Sequence, residues 1–320
     1  EIEADQQVII NKAGTLLFAV NGNSNTVAVF NINADGTLTA ISGSPFPSNG
    51  PQPASLGLLE DAKIGGGNSI MVVANKDNDP LQPPTMPNFS TFTVSSTGTM
   101  TLNTTGTVVL PTNSSPSQAL INQKGDLLFG MEFIGNGTQG SLTSYRISKT
   151  GTLTPVTTVL TPNNGKFFLG EVQHPVNSVL YTGLPDQSLV GVYTFGAVSG
   201  NLIFDQTQPT VGQLPCWLVI NKAGTRLYVA ETGSSSVTVY DTTNSTAPIQ
   251  LQHFVVKGGG SFGPTNLVLD ATEQFLFVLS GSTLHELTVA SDGTLTEAHN
   301  PRVLPVPTGT IPTGMATLMK

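Results

Sequence analysis

The sequence predicts an all-β protein built from a repeated antiparallel unit. Three observations carry that expectation. Short runs rich in Val, Ile, Phe, Tyr and Thr alternate with clusters of Gly, Asn, Asp and Pro, and no 3.6-residue periodicity competes with them. An apolar run recurs about every 50 residues, with matched positions at Phe18, Val72, Phe129, Tyr181, Tyr228 and Phe277. The phrase INKAGT occurs twice, at Ile10–Thr15 and Ile220–Thr225, and each copy leads into such a run. Four strands per unit of this length fit the blades of a β-propeller, in which each blade is covered on both faces by its neighbours.

The elements of the unit can be justified in order. Its first strand reads QVIIN, ASLGLL, QALIN, LGEVQ, WLVIN and TNLVL in the six copies. NKAG and NQKG segments turn it into the second strand, so INKAGT marks the tight turn out of the innermost strand. Second strands are TLLFAVN, SIMVVAN, DLLFGME, SVLYTGL, RLYVAE and FLFVLS. The third carries an aromatic at Phe30, Phe92, Tyr145, Tyr193 and Tyr240, with Leu287 in the sixth copy. A turn of the type ADGTLT follows in five copies, its Gly supplying the positive φ of a tight hairpin, and a fourth strand completes the unit.

The blades expected are 7–50, 51–112, 113–162, 166–212, 213–258 and 262–308, in one domain spanning 1–320. The tail IPTGMATLMK then reads as one more innermost strand, alone over 311–320. The expectation is a seven-bladed β-propeller of four-stranded antiparallel blades, six complete in this chain and the seventh represented by a C-terminal strand. Closing it takes three further strands, about 35–45 residues, upstream of Glu1 or donated by another chain.

Composition narrows the function classes. Of 320 residues, 38% are hydrophobic and only 10% charged, against roughly a quarter in an average domain. Thr (42), Ser (26) and Asn (23) take the place of charge. Such a surface is expected of an extracellular or periplasmic protein. Net charge is −8 and the 12 basic residues are scattered, which argues against nucleic acid or an anionic membrane as partner. No apolar run approaches the 18 or so residues of a membrane span. The single cysteine, Cys216, rules out an internal disulfide.

Several phrases resemble the lactonase-type seven-bladed propellers, the group of bacterial 6-phosphogluconolactonase and the fungal carboxymuconate-lactonising enzymes. They are LFAVNGNSNTVAVFNINADGTLT (17–39), GSPFPSNG (43–50), SSPSQALI (114–121), PCWLVINKAGTRLYVAETGSSSVTVYD (215–241) and LPVPTGTIPTGMA (304–316). The phrase around Cys216 and Trp217 is the most specific. The resemblance implies lactone chemistry by His, Glu and Arg side chains at the top of the channel. The phosphogluconolactonase branch carries a PHxH phrase that this chain lacks; its nearest segment is GEVQHPVN (170–177), with His174 at the far end of an innermost strand.

Strand alternation puts the second-to-third loops and the fourth-to-first connections on one face, at the channel mouth. Glu132, Glu171 and Glu231 reach that face from three successive blades. A carboxylate there can hold a water against a lactone carbonyl as general base; the same residues can also serve as caps between blades. Asn21, Asn75, Lys76, Gln118, Trp217 and Asn266 are the candidate ligand-binding residues around them. The three arginines fall elsewhere: Arg146 in a third strand, Arg226 at the start of a second, Arg302 in a fourth. No cofactor is expected, although Asp77 and Asp79 in the insertion KDNDPLQPPTMPN (76–88) are hard oxygen donors of the kind calcium takes.

The first functional expectation is a binding or scaffold module outside the cytoplasm, taking a small molecule or glycan at the channel mouth. The alternatives are a lactone-ring hydrolase using mouth carboxylates and water, and a strand-accepting subunit that self-associates or takes a partner's strands.

Overall fold

The computed structural model describes residues 4–60, 67–76, 86–258, 263–307 and 312–318. They form six antiparallel sheets, each a propeller blade whose strands follow chain order from the innermost outward. Blade one comprises Val8–Ile10, Leu16–Asn21, Thr26–Ile32 and a fourth strand in two pieces, Leu38–Ala40 and Phe46–Pro47. Blade two comprises Pro53–Leu59, Ser69–Asn75, Asn88–Val94 and the pieces Met100–Leu102 and Val108–Val109. Blade three is Ser115–Ile121, Leu127–Gly135, Gln139–Ile147 and Leu153–Leu160. Blade four is Leu169–Gln173, Val179–Leu184, Leu189–Phe195 and Leu202–Pro209. Blade five is Pro215–Ile220, Arg226–Glu231, Ser236–Asp241 and Ile249–Val255. Blade six is Pro264–Leu269, Phe275–Ser280, Thr283–Val289 and the pieces Leu295–Thr296 and Arg302–Val303.

The cores lie between blades, because a blade has two apolar faces and each needs a neighbour. Leu16, Phe18, Val27 and Val29 of blade one pack on Leu56, Met71, Val73 and Phe92 of blade two. Val179, Tyr181, Val190 and Val192 of blade four pack likewise on Leu218, Leu227, Val229 and Tyr240 of blade five. The second strand of blade four, Val179–Leu184, is buried at every residue, and that of blade two, Ser69–Asn75, at all but Ser69. Blades one and six differ. Leu17, Ala19, Ala28 and Phe30 of the first, and Phe275, Phe277 and Leu284 of the last, are only half-buried.

The twin INKAGT phrases are turns between first and second strands. Asn11 Oδ1 accepts the N–H groups of Thr15 (2.8 Å) and Leu16 (2.9 Å), and Asn221 Oδ1 those of Thr225 (2.8 Å) and Arg226 (3.0 Å). Gly14 and Gly224 take φ of +66° and +70°, the left-handed region that glycine enters without strain. The Lys12 N–H donates to Glu60 of blade two (2.7 Å), and the Lys222 N–H to Glu273 of blade six (2.6 Å). The repeated phrase thus ties each turn to the next blade.

Residues 312–318 lie between blades six and one. Thr265 Oγ1 of blade six donates to the Pro312 carbonyl (3.2 Å), and Thr317 Oγ1 donates to that of Leu269 (2.8 Å). Gly314 faces Gln7 and Val8 of blade one, and Leu318 lies against Gly14. The segment belongs to none of the six sheets.

Candidate functional site

The predicted site residues fall into two tiers. The inner tier sits on the innermost strands: Gln118, Glu171, Trp217 and Asn266, with Gln7 just ahead of the first of them. The structure brings these together around the backbone of residues 4–7. The Trp217 indole N–H donates to the Ala4 carbonyl (2.9 Å), as does Gln7 Nε2 (2.6 Å). The Asp5 N–H reaches Ser117 O in blade three (3.0 Å), and Asn266 Nδ2 donates to Asp5 Oδ1 (3.5 Å). Gln118 clamps the backbone of blade four, accepting the Glu171 N–H at Oε1 (2.7 Å) and donating from Nε2 to the Glu171 carbonyl (2.9 Å).

Glu171 is 2% exposed and neither of its carboxylate oxygens has a hydrogen-bond partner. Burial pushes its pKa well above the usual carboxylate range, and the charge of Asp5 adds to the rise. Asp5 itself is pushed up to about 6 by loss of water, against the Gln6 N–H and Asn266. Trp217 is buried in the core between blades, and Cys216 beside it is a free thiol that burial pushes up to about 12. Such a thiol is not a nucleophile at neutral pH.

The outer tier stands in the second strands, three residues beyond the repeated anchor: Asn21, Asn75 and Glu231 at strand ends, Glu132 within the longer strand Leu127–Gly135, and Lys76 next to Asn75. Asn75 is buried, its Nδ2 donating to Ser48 O (3.1 Å) and Asn88 Oδ1 (2.9 Å). Lys76 is fully buried, its N–H on the Gln52 carbonyl (3.2 Å). Asn21 lines a cavity of about 460 Å³ on the mouth face, with Gln7, Asn23, Ser24, Gln52 and Thr313 among its walls. Arg146, Arg226 and Arg302 take no part in it.

Glu132 and Glu231 hold equivalent places with different surroundings. Glu231 is fully buried and rich in donors: Ser236 Oγ (2.5 Å), Thr238 Oγ1 (2.7 Å) and the Gly212 N–H (3.2 Å), with His253 Nδ1 at 3.1 Å. Glu132 receives Ser141 Oγ at Oε1 (2.6 Å), while its Oε2 is buried without a partner. Ser114 stands close enough to favour the ionised form without completing a hydrogen bond to Oε2. Burial outweighs both serines, so the Glu132 pKa is raised. Glu132 opens into a cavity of about 310 Å³ that contains neither Glu171 nor Glu231. The three glutamates share no hydrogen-bond partner and no cavity among the described residues.

His174 caps a turn: its Nδ1 accepts the Val176 and Asn177 N–H groups (3.1 and 3.0 Å), and Nε2 meets the Gly224 carbonyl (2.9 Å). Asp77 and Asp79 lie outside the described residues; among those described, no group of three or more His, Cys, Asp or Glu is placed to hold a metal. Sequence reasoning passed over Asp5 and Gln7 in the inner tier. Their signal was alignment: counted back from the INKAG turn, Gln7 stands where Trp217 does.

The six sheets define an antiparallel β-propeller. Residues 171–262 match the family described as Lactonase, 7-bladed beta-propeller, in agreement with the resemblance seen in the sequence. Solved structures similar to this chain include a protein from Lactobacillus plantarum (16% identity, 93% of this chain and 84% of that one covered, TM-score 0.75). A periplasmic gluconolactonase from Pseudomonas aeruginosa is similar at 16% identity, 93% and 85% coverage and TM-score 0.74. A Bacteroides fragilis protein provisionally assigned as a 6-phosphogluconolactonase is similar at 14% identity, 93% and 83% coverage and TM-score 0.73. No curated relative matches the chain.

Proposed function

We propose that this lactonase-type propeller works outside the cytoplasm as a binding module for a small polar molecule or glycan at the channel mouth. The observation that carries the reading is the contrast between the mouth cavity and the carboxylates near it. The cavity beside Asn21 is walled by amides and hydroxyls. Glu171 is buried near Asp5, and Glu231 is occupied by its own blade and the end of blade four. A site of neutral donors and acceptors suits a neutral, hydroxyl-rich ligand, and it has no cation to stabilise an oxyanion. Titrating a panel of neutral sugars tests it: binding that weakens at least fivefold in Asn21→Ala supports the reading, and no binding by any sugar removes it.

Lactone opening by a carboxylate and water is the second reading, favoured by Glu132, whose raised carboxyl faces a cavity with one oxygen unpaired. Assaying a lactone panel with Glu132→Gln tests it; turnover that survives the substitution ends it.

We also infer that residues 312–318 are the innermost strand of a seventh blade. Leu318 lies against Gly14 as Leu59 of blade two lies against Gly125 of blade three, and the half-buried faces of blades one and six flank it. If another chain supplies the remaining strands, the protein is a dimer or larger in light scattering; a monomer with both faces protected from hydrogen exchange removes that route.

A further inference from the structure

We propose that the Glu132 cavity in blade three is a ligand site in its own right, for a small protonated amine. The cavity, about 310 Å³, is lined by Pro111, Ser114, Glu132, Asn136, Gln139 and Leu160, among others. Glu132 is 6% exposed, and its Oε2 has no donor. Buried carboxylates are ordinarily paired or fully hydrogen-bonded, because a charge out of water without compensation is strongly unfavourable.

None of the neighbours completes a hydrogen bond to Oε2: Ser141 serves Oε1 (2.6 Å), Gln139 Nε2 donates to Thr161 O (2.7 Å), and Ser114, whose Oγ accepts the Asn136 N–H (3.0 Å), stands near the carboxyl without closing a bond to that oxygen. Among the described residues no Lys, Arg or His lines the cavity, so an anion is repelled. A metal ion would find one carboxylate in that lining and, among the described residues, no group of three or more acidic, imidazole or thiol ligands, where hard cations take six or more oxygens. A neutral hydroxyl would satisfy Oε2 but leave the charge. An ammonium group does both: one N–H reaches Oε2, and the positive charge pairs the carboxylate. Ser114 and Asn136 offer oxygens to its other hydrogens, while Pro111 and Leu160 form apolar wall for a short alkyl chain. The net charge of −8 draws cations to the protein.

The equivalent glutamate shows what a filled site looks like. Glu231 has three hydrogen-bond donors and a histidine at the same place in blade five. The inference rests on neither reading of the channel mouth, and it requires no turnover.

The test is NMR titration of the whole protein with ethylammonium, following the Asn136 and Ser141 amides, with ethylene glycol, sodium and calcium as comparison probes. Saturable shifts with ethylammonium, weakened at least tenfold in Glu132→Gln, are expected; Ser114→Ala, a milder change, weakens them a few-fold. Equal binding by Glu132→Gln, tighter binding of calcium or ethylene glycol, or no binding by the wild type overturns the proposal. Lactone turnover is assayed in parallel. Its absence with amine binding intact ends only the hydrolytic reading of Glu132.

Discussion

Glu132 and Glu231 occupy one position in two blades, and their local sequences are close. Each stands in a second strand three residues after the anchoring aromatic, and each pairs with the serine of a Ser-x-Thr in the third strand: Ser141-Leu142-Thr143 and Ser236-Val237-Thr238. Yet one carboxylate is saturated with donors and the other, beside a cavity, has a buried oxygen without one. Two differences account for this. The fourth strand brings His253 opposite Thr238 but Thr158 opposite Thr143, so Thr143 bonds to Thr158 (2.9 Å) while Thr238 turns to Glu231. The second-to-third hairpin also extends further past the glutamate in blade three, with Ser141 nine residues beyond Glu132 but Ser236 only five beyond Glu231. The extra residues, among them Gly135, Asn136 and Thr138, form walls of the cavity. A repeat can therefore turn one structural cap into a candidate site by lengthening one hairpin.

The comparison can be broken by substitution. The largest effect is expected from Glu231→Ala, which strands buried donors and the partner of His253. We expect a loss of about 3–5 kcal/mol in urea unfolding; a loss below about 1 kcal/mol would mean that the saturated glutamate is not a structural node.

Glu171 sharpens the contrast through pH. A carboxyl whose pKa is higher folded than unfolded holds its proton more tightly in the folded protein. The stability gained from that proton is complete below the unfolded value and lost as pH rises through the folded one. Asp5, raised from 3.8 to about 6, and Glu171, raised well above 4.5, both act this way. The carboxyls of Asp126, Asp241, Asp270 and Asp292, held below 3.8 by their hydrogen bonds, oppose the trend only at lower pH. Tm is therefore expected to rise by about 2–4 °C from pH 7.5 to pH 5, and the combined Asp5→Asn and Glu171→Gln variant to lose most of the rise, the raised Glu132 carboxyl supplying the rest. A flat or falling profile in the wild type would count against the buried pair.

Glu132→Gln is expected to change stability by less than about 1 kcal/mol, because one hydrogen bond is at stake and the carboxylate's burial penalty is removed with it. A loss as large as that of Glu231→Ala would erase the distinction between the blades. The smallest expected difference is between Ser236→Ala and Ser141→Ala, about 1–2 kcal/mol against roughly half that, read as a shift in the urea midpoint.

Much of the fold was legible because its signals are local. The apolar run around Phe129 or Tyr228, the Gly of each ADGT-type hairpin and the Asn of each INKAG turn act within a few residues of themselves. Gly36, Gly98, Gly151, Gly200 and Gly293 all take the positive φ that the pattern requires. Gln118, Glu171, Trp217 and Asn266 could be grouped because all four lie on innermost strands. The role of Asp5 was less visible, since its partners Ser117 and Asn266 are more than 100 residues away in the chain.

By itself, the sequence determined the blades, their strand order and the turns that join them, since strand alternation and glycine-bearing turns are properties of short segments. Only the tertiary structure decided which glutamate is satisfied. The donors that fill Glu231 come from a neighbouring strand, a fourth strand and the end of the preceding blade, and burial makes their presence or absence count. Short-range patterns write the same glutamate twice, and the packing of whole blades makes the two chemically different.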